Sequence, residues 1–342
     1  MALTRIMSKQ TISSYYTRLV HLPLLAFGSV MGLTGLAIAI HSVARSWWTV
    51  DIISMVVAVI ASLLFLLLLT LYSAKMFRYP DEIKAELQHP VRRNFIASIP
   101  ISFLLQSIAY LTILPQLSWL LWVIGALLQL TTTIYIVGSW IWGSVSLSHI
   151  TPTWYLPAVG NAVVPIAGVY HAPLDVSWWF FAIGAFLWIP VTTLLITRLL
   201  TGEKLPRFLG PTFFIMLAPP MVMSTALTQL DDALAVLSKI FFFIGAFVLV
   251  LLIANIRKIW GPTSLTAWSY VFPLATATVA ATTVYGWMLG LPLLILTVSA
   301  SGLAIRHTIN TVLVETKNRD VIGLKYNDNK GLRNNLHNSS PS

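Results

Sequence analysis

The sequence predicts an all-α integral membrane protein: ten transmembrane helices paired as five helical hairpins, with the odd-numbered helices gathered around a central pathway. Three observations predict it. Hydrophobic residues make up 57% of the chain and charged residues only 9%, against about 25% charged in a soluble domain. Residues 94–174 and 259–305 hold no Asp, Glu, Lys or Arg, and because one crossing of a bilayer takes about 20 residues, each run is long enough for several. Proline alternates along the chain: every odd-numbered apolar span carries one, whereas spans 2, 4 and 8 have none.

The spans fall at 19–41, 51–74, 94–114, 117–141, 154–172, 176–197, 207–228, 233–256, 263–287 and 289–312. Span 1 follows a basic segment, as a secretory signal would, but its apolar run is too long for one and lacks a small-residue cleavage site. The links 3–4, 5–6 and 9–10 are only a few residues long, which makes tight hairpins, and the link 75–93 is the longest and most charged. Residues 1–18 form an N-terminal segment, 19–314 the membrane domain, and 315–342 an Asn-, Lys- and Ser-rich tail expected to be disordered.

The prolines of the odd spans are Pro23, Pro100, Pro157 with Pro165, Pro219 with Pro220, and Pro273. Each removes one helical hydrogen bond, and lipid cannot satisfy the freed carbonyl, so broken helices belong inside protein or against a water-filled cavity. The alternation therefore reads as an inner set of kinked helices and an outer set facing lipid. Pro190 in span 6 is an exception, and Pro292 stands near the start of span 10, where a helix accepts it.

The formal net charge of +10 does not point to nucleic acid. With the N-terminus cytoplasmic, 19 of the Lys and Arg residues fall on the cytoplasmic side and only Arg45 and Lys239 on the other, which is the positive-inside bias. A multi-pass protein of the plasma (bacterial inner) membrane with both termini cytoplasmic follows. The absence of cysteine excludes disulfide and thiolate chemistry.

Polar residues follow the same parity as proline. Gly28, Gly32, Ser102, Asn161, Ser224 and Thr276 are the candidates to line a pathway. Small and hydroxylated residues also serve close helix packing. No odd span carries a carboxylate or a cation at mid-depth, whereas proton-coupled carriers place Asp, Glu or His there. A wall of hydroxyls and helix ends binds ions weakly, which suits conduction, and half-helix N-termini at the kinks favour anions. No two histidines sit at matching depth to hold a haem; neither cofactor, metal nor enzymatic activity is expected. Phe272, ahead of Pro273 in mid-span, either packs or plugs the pathway as a hydrophobic gate.

Several stretches resemble one family. His21-Leu22-Pro23-Leu24-Leu25-Ala26-Phe27-Gly28 is similar to the opening helix of the tellurite-resistance/dicarboxylate transporter family, which includes TehA and the plant slow anion channels. Tyr79-Pro80 through Glu86, His89-Pro90-Val91-Arg92 and then Phe95 to Pro100 resemble its second-to-third helix link. Tyr155-Leu156-Pro157-Ala158-Val159 with Asn161, Leu217-Ala218-Pro219, and Ala267-Trp268-Ser269-Tyr270-Val271-Phe272 are similar to its fifth, seventh and ninth helices. The resemblance implies ten helices in five hairpins, a central pore through the odd helices, a homotrimer with one pore per subunit, and a pore-occluding phenylalanine at the position of Phe272. Gly28 matches a glycine where the pore needs room. Pro273 departs from the glycine more usual in bacterial members. The function so implied is an anion channel or channel-like transporter for small inorganic or organic anions; a coupled or exchanging carrier for C4-dicarboxylates or sulfite, with tellurite efflux as a variant, is the alternative.

Overall fold

The computed structural model describes residues 19–44, 48–143, 145–202, 205–259 and 265–311; the predicted segments 1–18 and 315–342 lie outside them. Among the described residues all regular structure is helical. Among the described residues, seven helices are long and apolar enough to cross a membrane: Leu24–Ala44, Asp51–Arg78, Pro115–Ile141, Leu174–Thr201, Arg207–Leu230, Asp232–Ala254 and Trp287–Thr311. They coincide with spans 1, 2, 4, 6, 7, 8 and 10. Spans 3, 5 and 9 are present as shorter or interrupted helical segments: Arg92–Ala97 with Ser98–Tyr110, Tyr155–Val159 with Val164–His171, and Leu265–Ala267 with Trp268–Tyr285.

Inner and outer helices separate by burial. In the most apolar stretch of spans 1 and 7, 72% and 78% of residues are buried, against 22–33% in spans 2, 4, 6, 8 and 10. The odd spans close a ring: span 1 packs on span 3, 3 on 5, 5 on 7, 7 on 9, and 9 back on 1. The even spans turn apolar side chains such as Leu63, Phe186, Phe247 and Ile295 outward, a surface that only hydrocarbon or another protein can solvate.

Pro23, Pro100, Pro165 and Pro219 stand at or near the start of a helix and not in mid-helix as the sequence suggests. Pro23 stands just before the first 3-10 turn, Leu24–Ala26. Pro165 and Pro219 lie in the first turn of Val164–His171 and Ala218–Leu230, and Pro100 is the third residue of Ser98–Tyr110. Each marks the place where a 3-10 or irregular lead-in becomes an α-helix, the position where a missing N–H goes unneeded. Pro273 alone among these lies well inside a regular helix, Trp268–Tyr285.

Span 5 is the most broken, with a 3-10 stretch Gly160–Val163 between two short α-helices. Its freed carbonyls are taken up by span 4: Thr133 Oγ1 donates to Pro157 O at 2.7 Å, and Gln129 Nε2 to Pro157 O at 3.3 Å. The outer helix thus turns its own polar residues inward to satisfy the inner one, as an apolar surrounding demands.

The link after span 2 forms a helix, Pro80–Gln88, that carries a buried charge back to span 1. Glu86 accepts from Leu24 N (2.8 Å), Tyr72 OH (3.1 Å) and Lys75 Nζ (3.1 Å). Lys75 also donates to Leu22 O at 2.8 Å. One carboxylate therefore holds the start of span 1, the end of span 2 and the link helix together. Spans 9 and 10 join through Gly286 alone, whose φ of 81° is the one positive value among the described residues; a side chain there would be strained.

Candidate functional site

The ring of odd spans encloses a cavity of about 410 Å³. Each of the five helices meets it with a stripe of residues three or four apart, the spacing that keeps side chains on one helical face. The stripes are Gly35, Ile38 and His41 or Ser42 in span 1; Leu105, Ala109 and Thr112 in span 3; Val163, Ile166 and Tyr170 in span 5; Val222, Thr225 and Gln229 in span 7; and Phe272, Thr276, Val279 and Thr283 in span 9. The even spans add only Ser54 and Trp287, near their beginnings. The cavity occupies the C-terminal halves of the odd spans.

A second chamber, of about 30 Å³, lies toward their N-terminal ends, lined by Ile101, Tyr155, Leu156, Val159, Gly160, Ile215, Ala218 and Pro219 among others. Three residues line both spaces: Val163, Val222 and Phe272. Phe272 is 7% exposed. The wall opposite it is kept open by Gly35, where a Cβ would stand 3.5 Å from Phe272 Cδ2 and 3.1 Å from Ala275 Cβ.

Of the candidate lining residues, the structure brings Thr276 to the cavity wall. Gly28 and Gly32 lie elsewhere: a Cβ on Gly32 would come within 2.8 Å of the Trp268 ring and 3.1 Å of Val271, and one on Gly28 would meet Trp268 at 3.8 Å. Gly32 is the glycine that lets spans 1 and 9 pack closely, whereas a Cβ on Gly28 would make only ordinary contact. Ser102 is buried and donates to Ser98 O at 2.6 Å. Asn161 is buried against span 4, donating to Thr133 Oγ1 at 2.8 Å and to Ala158 O at 3.0 Å. Ser224 faces span 8, 3.1 Å from Ser238 Oγ. Its neighbour Thr225, about 100° further round the helix, is the one that reaches the cavity. His41, Ser42, Thr112, Tyr170 and Gln229 are the wall residues that selecting single polar positions missed; stepping by three and four from Phe272 finds Thr276, Val279 and Thr283 in span 9.

The wall is chemically mild. Ser42, Thr225, Thr276, Thr282 and Thr283 donate their hydroxyl protons to carbonyls three or four residues back in their own helices, at 2.7–3.2 Å. What they turn to the cavity is oxygen lone pairs. Tyr170 OH donates across the ring to Gln229 Oε1 at 3.0 Å, which leaves the Gln229 amide nitrogen as a donor. Toward the C-terminal end of span 1, His41 Nδ1 lies 2.8 Å from Asp51 Oδ1 of span 2. Among the described residues no group of three or more His, Asp or Glu side chains is placed to hold a metal ion.

Buried, interrupted helices ringed by apolar ones around an internal cavity define the class: a multi-pass helical membrane protein with a chambered centre. A family model described as voltage-dependent anion channel matches residues 21–315, and the chain belongs to that family, the one its motifs resemble. It is 31% identical over 299 residues to the S-type anion channel SLAH2 of Arabidopsis thaliana, covering 84% of this chain and 57% of the plant protein. It is 29% identical over 273 residues to the tellurite resistance protein TehA homolog of Haemophilus influenzae, covering 77% and 81%. An uncharacterized transporter of Methanocaldococcus jannaschii is 27% identical over 277 residues, covering 72% and 80%. The chain thus spans less than two thirds of the plant channel and most of the two microbial relatives.

Proposed function

We propose that the chain conducts small anions through a pore formed by its five odd spans and closed at Phe272. The observation that carries this reading is the position of Phe272 between two chambers, on a helix belonging to a family whose named relatives include anion channels. A ring filling an apolar neck excludes water and with it ions, and the neck here is completed by Val163 and Val222.

Ten crossings fit the lengths. Arg92–Tyr110, six residues of 3-10 and thirteen of α-helix, measures about 31 Å at ~2.0 and ~1.5 Å per residue, the thickness of the hydrocarbon core. The positive-inside bias then puts both termini in the cytoplasm, the larger cavity on the outside and the small chamber within. Family resemblance adds a homotrimer with one pore per subunit, the outward apolar faces of the even spans meeting lipid or neighbouring copies.

Once past the neck, an anion meets lone pairs and few donors. Weak binding of this kind favours passage over capture, and it favours anions that shed water easily, chloride or nitrate over malate. The test is voltage-clamped current from wild type and Phe272→Ala with chloride, nitrate, sulfite and malate in turn. Larger mutant currents reversing at the anion equilibrium potential are expected. A folded Phe272→Ala protein passing no more current than wild type would overturn the gate, and saturating, trans-stimulated flux would replace the channel with an exchanging carrier.

A further inference from the structure

We propose that the His41–Asp51 pair is a charge filter at the outer mouth, which makes anion access respond to external pH. The inference rests on the anion pathway proposed above and adds a regulator to it.

Three observations carry it. His41 belongs to the cavity wall, on the same stripe of span 1 as Gly35, which faces Phe272. Its Nδ1 is 2.8 Å from the Asp51 carboxylate, and both side chains are about two-fifths exposed. Among the described residues the cavity wall holds no Asp, Glu, Lys or Arg. Asp51 of span 2 meets His41; the cavity is otherwise lined by hydroxyl, amide and apolar groups of spans 3, 7 and 9, by Tyr170 of span 5 and by Trp287 of span 10. Among the described residues, Tyr170 is the other ionisable side chain lining the cavity. Arg45 lies outside the described residues.

The charge follows from the hydrogen bond. A neutral imidazole donates Nδ1–H to the carboxylate and leaves the pair with a net charge of −1, facing an incoming anion. Adding a proton at Nε2 brings the pair to zero without breaking the contact. One unit charge removed about 6 Å from a permeating anion, in water-like surroundings, raises its local concentration about threefold, and more if the mouth is less polarisable. Histidine is the side chain whose charge changes between about pH 5 and 8.

The experiment is anion current through the Phe272→Ala protein, whose open neck makes access limiting, with external pH stepped from 8 to 5.5 and the cytoplasmic side held constant. About a threefold rise is expected. His41→Gln keeps the carboxylate without a titrating partner; its current should stay low and flat. Asp51→Asn should start about threefold higher than its parent at pH 8 and still rise on acidification. His41→Gln with Asp51→Asn should be high and flat. Current that ignores external pH, or an acid response that survives in His41→Gln, overturns the filter while leaving the pore intact. Absence of current from Phe272→Ala at every pH overturns the pore, and the filter falls with it.

Discussion

Gly35 of span 1 faces Phe272 of span 9: a Cβ there would lie 3.5 Å from Phe272 Cδ2 and 3.9 Å from its Cα, in ordinary contact. Two helices far apart in sequence thus shape one neck, the aromatic ring from one side and the missing side chain from the other.

Gly35→Ala should be nearly tolerated, since its contact with Phe272 is ordinary and Ala275, at 3.1 Å, must give by a few tenths of an ångström. Gly35→Leu introduced into Phe272→Ala should refill the neck. The expected result is current reduced toward the wild-type level, measured in the same voltage-clamp recordings. Undiminished current would separate Gly35 from the conduction path.

Glu86 and Lys75 are nearly fully buried, with side chains 6% and 4% exposed. Removing one partner strands the other charge, so Glu86→Ala or Lys75→Met should each destabilise the solubilised protein by about 3–5 kcal/mol. Changing both together should cost less than the sum of the single changes. Thermal unfolding of the four proteins in detergent closes the cycle, and additive losses would show that the two charges do not interact.

Gln129 and Thr133 take up the Pro157 carbonyl of the interrupted fifth span. Thr133→Val, which keeps the shape and removes the donor, should cost about 1–3 kcal/mol because a buried carbonyl loses its short partner. Gly160→Ala should cost at least as much, since its Cβ would sit 2.6 Å from Gln129 Nε2 and 2.9 Å from Ile101 Cδ1. Unfolding temperatures equal to wild type would show that water, and not span 4, satisfies the break.

The separation of inner from outer helices was legible in the sequence because lipid enforces it. An exposed carbonyl has no partner in hydrocarbon, so Pro100, Pro157 and Pro219 fall in helices that other helices enclose. Which face of an inner helix meets the cavity was less legible. Spans 1 and 7 are buried on most sides, so polarity does not single out one stripe: Ser224 packs on span 8 while Thr225 faces the cavity. The roles of Gln129 and Glu86 were hidden for another reason. Each answers a backbone group far away in sequence, Pro157 O for one and Leu24 N for the other, and no local pattern records such a match. Phe272 stood out only through its place beside Pro273 and the family resemblance; its position between two chambers needed the fold.

The most direct test of the central claim uses the absence of cysteine from the chain. Thr276→Cys puts a single thiol in the larger chamber, four residues beyond Phe272, and a charged, membrane-impermeant thiol reagent is then applied from one side at a time. With Phe272 in place, the thiol should react from the outside only. Combined with Phe272→Ala, it should react from both sides. Equal labelling from both sides with the ring present, or from neither side without it, would contradict a pathway partitioned by Phe272.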